Sequence, residues 1–309
     1  FDGAIDIIGK LKSELIFIPT GFSALYHPAY KNYFENMNKY LSNFKWIVCH
    51  SSKYRDYLYL KNLGLNNLKV ISNGASYNEF FIHKDKTTLR SRYNIEKDSI
   101  VFITIGSHTG TKGHKETIKI FKKMKIKNSV LLIIGNFYEN DLAYSFTLKK
   151  MIKYLYNWLN NFNCPIKCKK YYKNSYYNKF TNQKIFVLDV ERNKVIEYLF
   201  LSDIFIFCSN IECAPIVLHE AMAAKVCIFS SDVGNARELI EKSNGGKILP
   251  TKINKRGLSK VKINESINLI ESTINSSNQI EQLGLNGYNF WIRNNTWEDI
   301  SKRYENLFI

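Results

Sequence analysis

The middle of the chain alternates short, nearly continuous apolar runs with segments of helical periodicity, and this alternation limits the possible folds more than any other feature. The apolar runs predict strands at Ile100 to Ile105, Val130 to Ile134, Lys184 to Leu188, Ile204 to Cys208 and Val226 to Phe229. Such strands are typical of a parallel sheet that is covered on both faces. The helical segments between them are His114 to Met124, Asn193 to Leu201, Pro215 to Ala224 and Ala236 to Glu241. We therefore predict a doubly wound α/β domain.

The first ninety-odd residues repeat this alternation more weakly. Strands are predicted at Leu15 to Ile18, Trp46 to Cys49 and Val70 to Ile71, and a helix from about Tyr30 to Leu41. A length of 309 residues is enough for two ordinary domains. We predict an N-terminal domain over 1–95, a C-terminal domain over 96–285 with an insertion at about 140–183, and C-terminal helices over 286–309 that pack back toward the N-terminal domain. Because a complete second domain needs more βα units, we expect the N-terminal domain to be incomplete.

The composition is that of a globular protein, with 45% hydrophobic and 23% charged residues. The sequence has no run of eighteen apolar residues, and its opening lacks the basic start and apolar stretch of a signal peptide. These features predict a cytoplasmic protein.

The formal net charge is +17, which is typical of proteins that meet polyanions. Compositional drift toward Lys, Asn, Ile, Tyr and Phe would give the same charge without a functional basic surface. No nucleic-acid motif accompanies the charge, so nucleic-acid binding is disfavoured. The stretch from Leu142 to Leu188 contains no Asp or Glu and many lysines. It either packs against its own domain or lies on an anionic membrane surface.

Six cysteines are too few and too dispersed to form a disulfide framework in a chain of this length. The pair Cys164 and Cys168 has a spacing that suggests a metal site, but zinc usually has four ligands and no second pair follows. His108 and His114 are interpreted as incidental. The sequence therefore predicts reduced thiols and no metal.

Two glutamates flank the start of a predicted helix in the segment SNIECAPIVLHEAMAAK. Glu212 lies in the loop after a strand, Pro215 at the first helical position, and Glu220 inside the helix. Glu220 lies about 7 to 8 Å along the helix from its start. This spacing suits the two ends of an extended ligand, and the free N–H groups at the helix N-terminus suit a phosphate between them.

A second candidate site is the glycine-rich turn in IGSHTGTKGHKE, directly after the strand that ends at Ile105. Its glycine spacing fits neither a P-loop nor a dinucleotide-binding motif, and Lys112 is followed by Gly113. A strand, a glycine turn with a lysine and then a helix still describe a phosphate-facing loop. An ordinary βα turn with a solvated lysine is the alternative.

The stretch from about Ile16 to Ile309 resembles the retaining glycosyltransferases of family 4, which have the GT-B fold. Glu212 and Glu220 match the E-x7-E motif of that family, and EAMAAKVCIFSSDVGN from Glu220 is similar to its following segment. VISNG from Val70 resembles its interdomain signature, and Lys112 falls where the family keeps a lysine. The resemblance implies two Rossmann-like domains facing a cleft.

The same resemblance implies roles for single residues. Lys112 and Glu212 would be catalytic, the first stabilising the leaving phosphate and the second binding hydroxyls of the donor sugar. Glu220 would accept a hydrogen bond from the ribose. The remaining donor-binding candidates are Gly106, Ser107, Ala214, Pro215, Ile216, Val217, Thr20 and Gly21. Ser107 stands where the family commonly has arginine, which puts one cationic contact to the diphosphate in doubt.

The implied activity is retaining transfer of a sugar from a nucleoside diphosphate sugar to a glycan or lipid-linked acceptor, as in polysaccharide assembly. It needs no metal or other cofactor, and the sequence has no D-x-D motif. The alternative is a degenerate GT-B module that binds a nucleotide or a partner without catalysis.

Overall fold

The computed structural model describes residues 8, 13–22, 24–81, 85–136, 168, 170–171, 175–254 and 257–309. Cys164 and most of the predicted insertion at about 140–183 lie outside these residues, as does most of the lysine-rich stretch that begins at Leu142. In the described ranges, no helix has both the length and the apolar character needed to span a bilayer.

The strands form two parallel sheets and a small antiparallel ribbon. The first sheet contains β1 (Ile16–Phe17), β2 (Trp46–Cys49) and β3 (Leu68–Val70), in that order. The second has the order β10-β9-β8-β4-β5-β7-β6, and only the edge strand β6 is antiparallel to its neighbour. Its members are β4 (Ile100–Ile105), β5 (Ser129–Ile134), β6 (Tyr176–Asn178), β7 (Gln183–Leu188), β8 (Ile204–Phe207), β9 (Cys227–Ser230) and β10 (Gly246–Ile248). The ribbon pairs β11 (Thr251–Ile253) with β12 (Ser259–Val261).

Helices separate most of these strands and cover both sheets. Those of the first ninety-five residues are α1 (Lys31–Asn38), α2 (Arg55–Asn62), α3 (Tyr77–Phe80) and α4 (Lys86–Arg92). The second sheet is accompanied by α5 (His114–Lys123), α6 (Arg192–Leu201), α7 (Ile216–Ala223) and α8 (Ala236–Ser243). The chain continues with α9 (Ile263–Ile274), α10 (Gln279–Asn294) and α11 (Trp297–Glu305).

The large sheet is buried on both faces, as its apolar strands predict. Along β4, Val101 and Ile103 belong to one core cluster and Phe102 to another. Phe102 packs against Phe121 of α5, with ring centroids 5.5 Å apart. Side chains of a strand alternate between the faces, so two helical layers are needed to remove all of them from water. The doubly wound prediction is confirmed.

The strand order locates a switch point in the large sheet. From β4 the chain adds β5 and β7 on one side, and it then returns to place β8 on the other side of β4. β4 and β8 are neighbours, but the connections that follow them run to opposite sides of this point, so a crevice opens between the two loops at the carboxyl ends of the strands. In open α/β sheets, ligands bind at such a point.

The end of the chain packs on the small sheet. Thr296 caps α11 by accepting a hydrogen bond from the backbone N–H of Asp299, at 3.2 Å. Ile300 is buried with Val48 of β2 in one apolar cluster. In addition, the indole N–H of Trp46 donates to the carbonyl oxygen of Leu307, at 3.1 Å.

Three local predictions differ from the structure. The helix predicted over 30–41 is α1 between two short 3₁₀ turns, at Pro28–Tyr30 and Leu41–Asn43. The third strand lies at Leu68–Val70, two residues before the predicted start at Val70. Pro215 is the N-cap residue of α7 with ψ of 114°, so it precedes the helix instead of opening it.

Replacing Gly284 of α10 with alanine should destabilise the fold. Alanine normally favours a helix over glycine, but here the added methyl group would lie 2.2 Å from the backbone carbonyl oxygen of Lys225. We expect Gly284→Ala to lower the free energy of unfolding by about 1–3 kcal/mol, as overpacking does. Asn289→Ala on the exposed side of the same helix is the matched control, and it should be neutral or slightly stabilising. Urea titration measures both, and a Gly284→Ala variant as stable as wild type would contradict the packing.

His219 of α7 should make the fold sensitive to acid. Burial, together with a smaller contribution from neighbouring His50, lowers its pKa to about 3. Because an unfolded histidine titrates near pH 6.5, protonation below that pH favours the unfolded chain, and stability falls between about pH 6.5 and 3. In wild type, moving from pH 6.5 to pH 5 should cost about 2 kcal/mol more than in His219→Leu. Exposed His27 provides the control, since His27→Gln should keep the wild-type pH dependence.

Candidate donor-binding site

Two loops meet at the switch point of the large sheet. We call residues 106–113 the glycine turn, which follows β4, and residues 208–215 the acidic loop, which follows β8. The strands β4 and β8 are hydrogen-bonded neighbours, so both loops leave the same edge of the sheet. The backbone N–H of Asn210 donates to the carbonyl oxygen of Thr111 at 2.8 Å, which joins the loops directly.

The two predicted catalytic side chains form an ion pair. The ammonium of Lys112 lies 2.7 Å from a carboxylate oxygen of Glu212, and the Ser209 hydroxyl donates to the same oxygen at 2.7 Å. The side chain of Lys112 is 28% exposed and that of Glu212 is 12% exposed. Glu212 is therefore a partly buried, paired acid and not a solvated loop residue.

The start of the glycine turn fixes the path of the lysine. The backbone N–H of Gly106 donates to the carbonyl oxygen of Ile134 at 2.9 Å. A methyl group on Gly106 would lie 3.2 Å from Cγ of Lys112, so the lysine stem crosses directly over this glycine. The carbonyl oxygen of Ser107 accepts from the N–H of Thr109 at 2.8 Å, which closes a tight turn.

The acidic loop ends at the N-terminus of α7, where backbone N–H groups are available to a ligand. Pro215 precedes the helix and provides no side-chain cap. Ile216 is 42% exposed, while Val217 is partly buried. The carbonyl oxygen of Ala214, in the same loop, accepts a hydrogen bond from the side-chain amide of Asn73, at 2.8 Å. A helix N-terminus of this kind can bind an anion through N–H groups and the helix dipole.

Glu220 is buried and paired at the other end of the helix. The guanidinium of Arg192 lies 2.8 Å from its carboxylate and 2.7 Å from that of Glu79. These contacts, first with Glu79 and then with Glu220, raise the pKa of Arg192 above its usual range. The guanidinium also lies 5.9 Å from the ring centre of Phe80. Glu220 is consequently a fixed acceptor and not a surface residue.

The N-terminal residues predicted for the cleft lie against the acidic loop. A methyl group on Gly21 would be 2.8 Å from Cβ of Cys213, and the backbone of Gly21 has φ of +110°. Gly234 approaches the same residue from the large sheet, since a methyl group there would be 2.2 Å from the Cys213 carbonyl oxygen. Asn235 donates its N–H to that oxygen at 2.8 Å. Thr20, next to Gly21, is exposed.

Sequence reasoning missed three side chains around these loops. Arg192 begins α6 after β7, Asn73 follows β3, and Asp56 of α2 lies 3.7 Å from the sulfur of Cys213. Burial raises the pKa of Asp56 and, to about 12, that of Cys213. A search for charged residues just after each predicted parallel strand would have found Arg192. No local pattern indicates the other two.

A polar cavity of about 220 Å³ lies between the two sheets. None of the predicted donor-binding residues lines it. Beside it, Ser51 and Ser52 of the N-terminal side donate to the carboxylate of Glu238, which also binds the ammonium of Lys242. Its lining combines residues from both halves of the chain: His50, Val70, Ser72, Asn235, Glu238, Leu239, Lys242, Phe290, Asn294, Asn295 and Arg303.

Metal-ligating side chains come together beside the glycine turn. In the described part of the chain, His108, His114 and Cys168 have ligand atoms within 4.8 Å of one another, and all three residues are buried. Sequence reasoning judged the spacing of Cys164 and Cys168 by itself and interpreted His108 and His114 as incidental, so it did not bring these residues together as one group.

Solved glycosyltransferase structures share this architecture. Sucrose-phosphate synthase from Thermosynechococcus elongatus superposes with a TM-score of 0.70 at 14% identity, over 98% of this chain and 69% of its own. HepE from Anabaena in complex with UDP-glucose gives 0.67 at 14% identity, over 96% and 72%. A glycosyltransferase from Rickettsia africae gives 0.64 at 17% identity, over 97% and 71%. These likenesses confirm the predicted GT-B fold.

Family membership follows from the sequence itself. No curated protein sequence matches the chain significantly. The family model for glycosyl transferases group 1 matches residues 85–290, about two thirds of the 309 residues. This range includes the glycine turn, the acidic loop and all of α7. The chain belongs to the glycosyl transferases group 1 family.

Proposed function

We propose that this protein is a retaining glycosyltransferase of family 4 that moves a sugar from a nucleoside diphosphate sugar to a glycan or lipid-linked acceptor. The observation that carries the proposal is the ion pair of Lys112 and Glu212 at the switch point, next to the N-terminus of α7. This arrangement places a cation, an anion and backbone N–H donors where one ligand can contact all of them. UDP-sugars are the first donors to test, because HepE was crystallised with UDP-glucose.

The diphosphate binds between Lys112 and the N-terminus of α7. The backbone N–H groups of Ile216 and Val217 donate to phosphate oxygens, and the helix dipole favours their negative charge. Lys112 neutralises the charge that develops on the leaving phosphate when the bond to the sugar breaks. With a lysine and a helix N-terminus in these roles, transfer needs no metal.

Glu212 binds hydroxyl groups of the donor sugar. Without donor, Lys112 and Glu212 satisfy each other at 2.7 Å, which avoids an isolated charge in a partly buried site. When the donor binds, the diphosphate replaces Glu212 as the ion-pair partner of Lys112, and hydroxyl groups of the sugar donate hydrogen bonds to Glu212. Ser209, which donates to Glu212 at 2.7 Å, keeps the carboxylate in position during this exchange.

The nucleoside lies toward the other end of α7. Glu220 accepts from the ribose hydroxyls, and Arg192 keeps that carboxylate ionised and oriented. The acceptor approaches from the side of the small sheet, where Thr20 and Gly21 adjoin the acidic loop. The enzyme works in the cytoplasm, and the lysines of the stretch from Leu142 that precede β6 contact an anionic membrane surface.

Replacing Lys112 tests catalysis directly. We expect Lys112→Met to lower kcat by about 100- to 1,000-fold, because a lost electrostatic contact to the transition state has this effect. The assay follows UDP release and glycoside formation from a panel of UDP-sugars. Lys119→Met, on an exposed position of the following helix, is the matched control and should retain wild-type kcat.

Two outcomes would contradict this role. Equal kcat for Lys112→Met and wild type would exclude Lys112 from catalysis. Binding of UDP-sugars without transfer, by wild type and over a full acceptor panel, would favour the alternative of a nucleotide-binding module without catalysis.

Replacing Glu220 tests the nucleoside position. We expect Glu220→Gln to weaken UDP binding about tenfold, since a hydrogen bond to a charged group is lost. Calorimetric titration with UDP and with 2′,3′-dideoxy-UDP separates the ribose contact from general damage to the helix. Wild type should prefer UDP over the dideoxy compound, and Glu220→Gln should lose that preference. An unchanged preference in the variant would place the ribose elsewhere.

A further inference from the structure

A buried group of nitrogen and sulfur ligands lies next to the glycine turn. His108 belongs to the turn, and His114 is the first residue of α5. Cys168 comes from the segment before β6, more than fifty residues later, and its side chain is fully buried in the core below the large sheet. One ligand atom of each residue lies within 4.8 Å of those of the other two.

The spacing of the two imidazoles is close to what a metal requires. Their Nδ1 atoms are 3.1 Å apart, so that one ring donates a hydrogen bond to the other, and a bound metal ion would replace the shared proton. The ring centroids are 4.7 Å apart. Two nitrogen ligands of a tetrahedral zinc ion lie about 3.3 Å apart, given Zn–N bonds of about 2.0–2.1 Å. The ligand atoms of the three residues lie within 4.8 Å of one another. The Cys168 sulfur would have to move by only about 1 Å to reach the separation that a nitrogen and a thiolate sulfur have when both bind one zinc ion.

The ligand types select among metals. Two imidazoles and one thiolate are a borderline-soft set, which favours zinc over calcium or magnesium, because those ions prefer oxygen. A thiolate buried in an apolar core would be costly alone, and a divalent cation beside it removes that cost. Among the described residues, none of the three ligands in the group is a carboxylate, which disfavours an alkaline-earth ion.

We propose that His108, His114 and Cys168 bind a zinc ion, with a water molecule as the fourth ligand, and that this ion fastens the glycine turn to the segment preceding β6. Cys168 lies more than fifty residues after His114 in the sequence, so the ion closes a long loop. Lys112 lies between the two histidines in the chain, and the ion therefore limits where the backbone of the turn can move. The site does not depend on the proposed glycosyl transfer, since metal binding has its own readout.

The test compares metal content and cobalt spectra of purified full-length chain. Wild type refolded with Zn²⁺ and dialysed should retain one zinc per chain by elemental analysis. Refolded with Co²⁺, it should show a thiolate-to-cobalt charge-transfer band in the near ultraviolet together with intense tetrahedral d–d bands. Cys168→Ala should lose the charge-transfer band and bind zinc at least about tenfold more weakly.

The matched control is Cys227→Ala, which removes another fully buried thiol that lies in β9, outside the group. It should keep the zinc and the cobalt band. A chelator should lower the Tm of wild type and of Cys227→Ala but leave Cys168→Ala unchanged, because bound metal stabilises only the folded chain. Should Cys168→Ala fail to fold, His108→Leu provides the same comparison through its weaker d–d bands and zinc loss.

Two results would overturn the proposal. Folded wild type that retains no zinc after refolding with the metal would mean that the three side chains pack without an ion. Zinc and an unchanged charge-transfer band in Cys168→Ala would mean that the metal is bound by other residues.

Discussion

The close approach of two backbone segments to Cys213 is the constraint on which the site depends. Gly21 arrives from the small sheet and Gly234 from the loop after β9, and a methyl group on either would collide with Cys213. Asn235 adds a hydrogen bond to the same carbonyl oxygen. Because this residue directly follows Glu212, the contacts fix the acidic carboxylate relative to the lysine across from it. They also bring the two sheets together at the same place.

The charged side chains at the site are held in individual ion pairs, and the excess of basic residues in the whole chain does not explain their positions. The chain carries a formal net charge of +17, yet each glutamate of the E-x7-E motif is paired with a cation. The partly buried Glu212 binds Lys112, and the buried Glu220 binds Arg192. A buried charge without a partner is costly, so both acids come with a counter-ion before any ligand binds. When a ligand binds, its negative phosphates can pair with a cation of the site, and its neutral hydroxyls can donate hydrogen bonds to a carboxylate. No charge is then left unpaired in the core. Net charge alone would not have located the site.

The glycine turn joins two different kinds of chemistry. Lys112 lies in the sequence between His108 of the turn and His114 of α5, and these two histidines have ligand atoms within 4.8 Å of the Cys168 sulfur. The turn is otherwise anchored through the N–H of Gly106 at the end of β5 and through Thr111 against the acidic loop. These two hydrogen bonds join the turn to different elements, so the position of the turn depends on how each of those elements packs. A metal at the histidines would add a third attachment, to the segment that contains Cys168.

The sequence by itself determined the five inner strands of the large sheet and the family of the chain, but it did not indicate the two edge strands β6 and β10. The span Ile100–Ile105 is the same in prediction and structure, because a strand buried on both faces leaves a local apolar signature. The motif residues Lys112 and Glu212 could be named for the same reason, since each follows such a strand. Tertiary structure alone decided that Arg192 pairs with Glu220, that Cys213 is the contact point of the sheets, and that Cys168 lies beside two histidines. Each of these contacts joins distant parts of the chain through the order of strands in the sheet, and strand order leaves no local pattern in a single sequence.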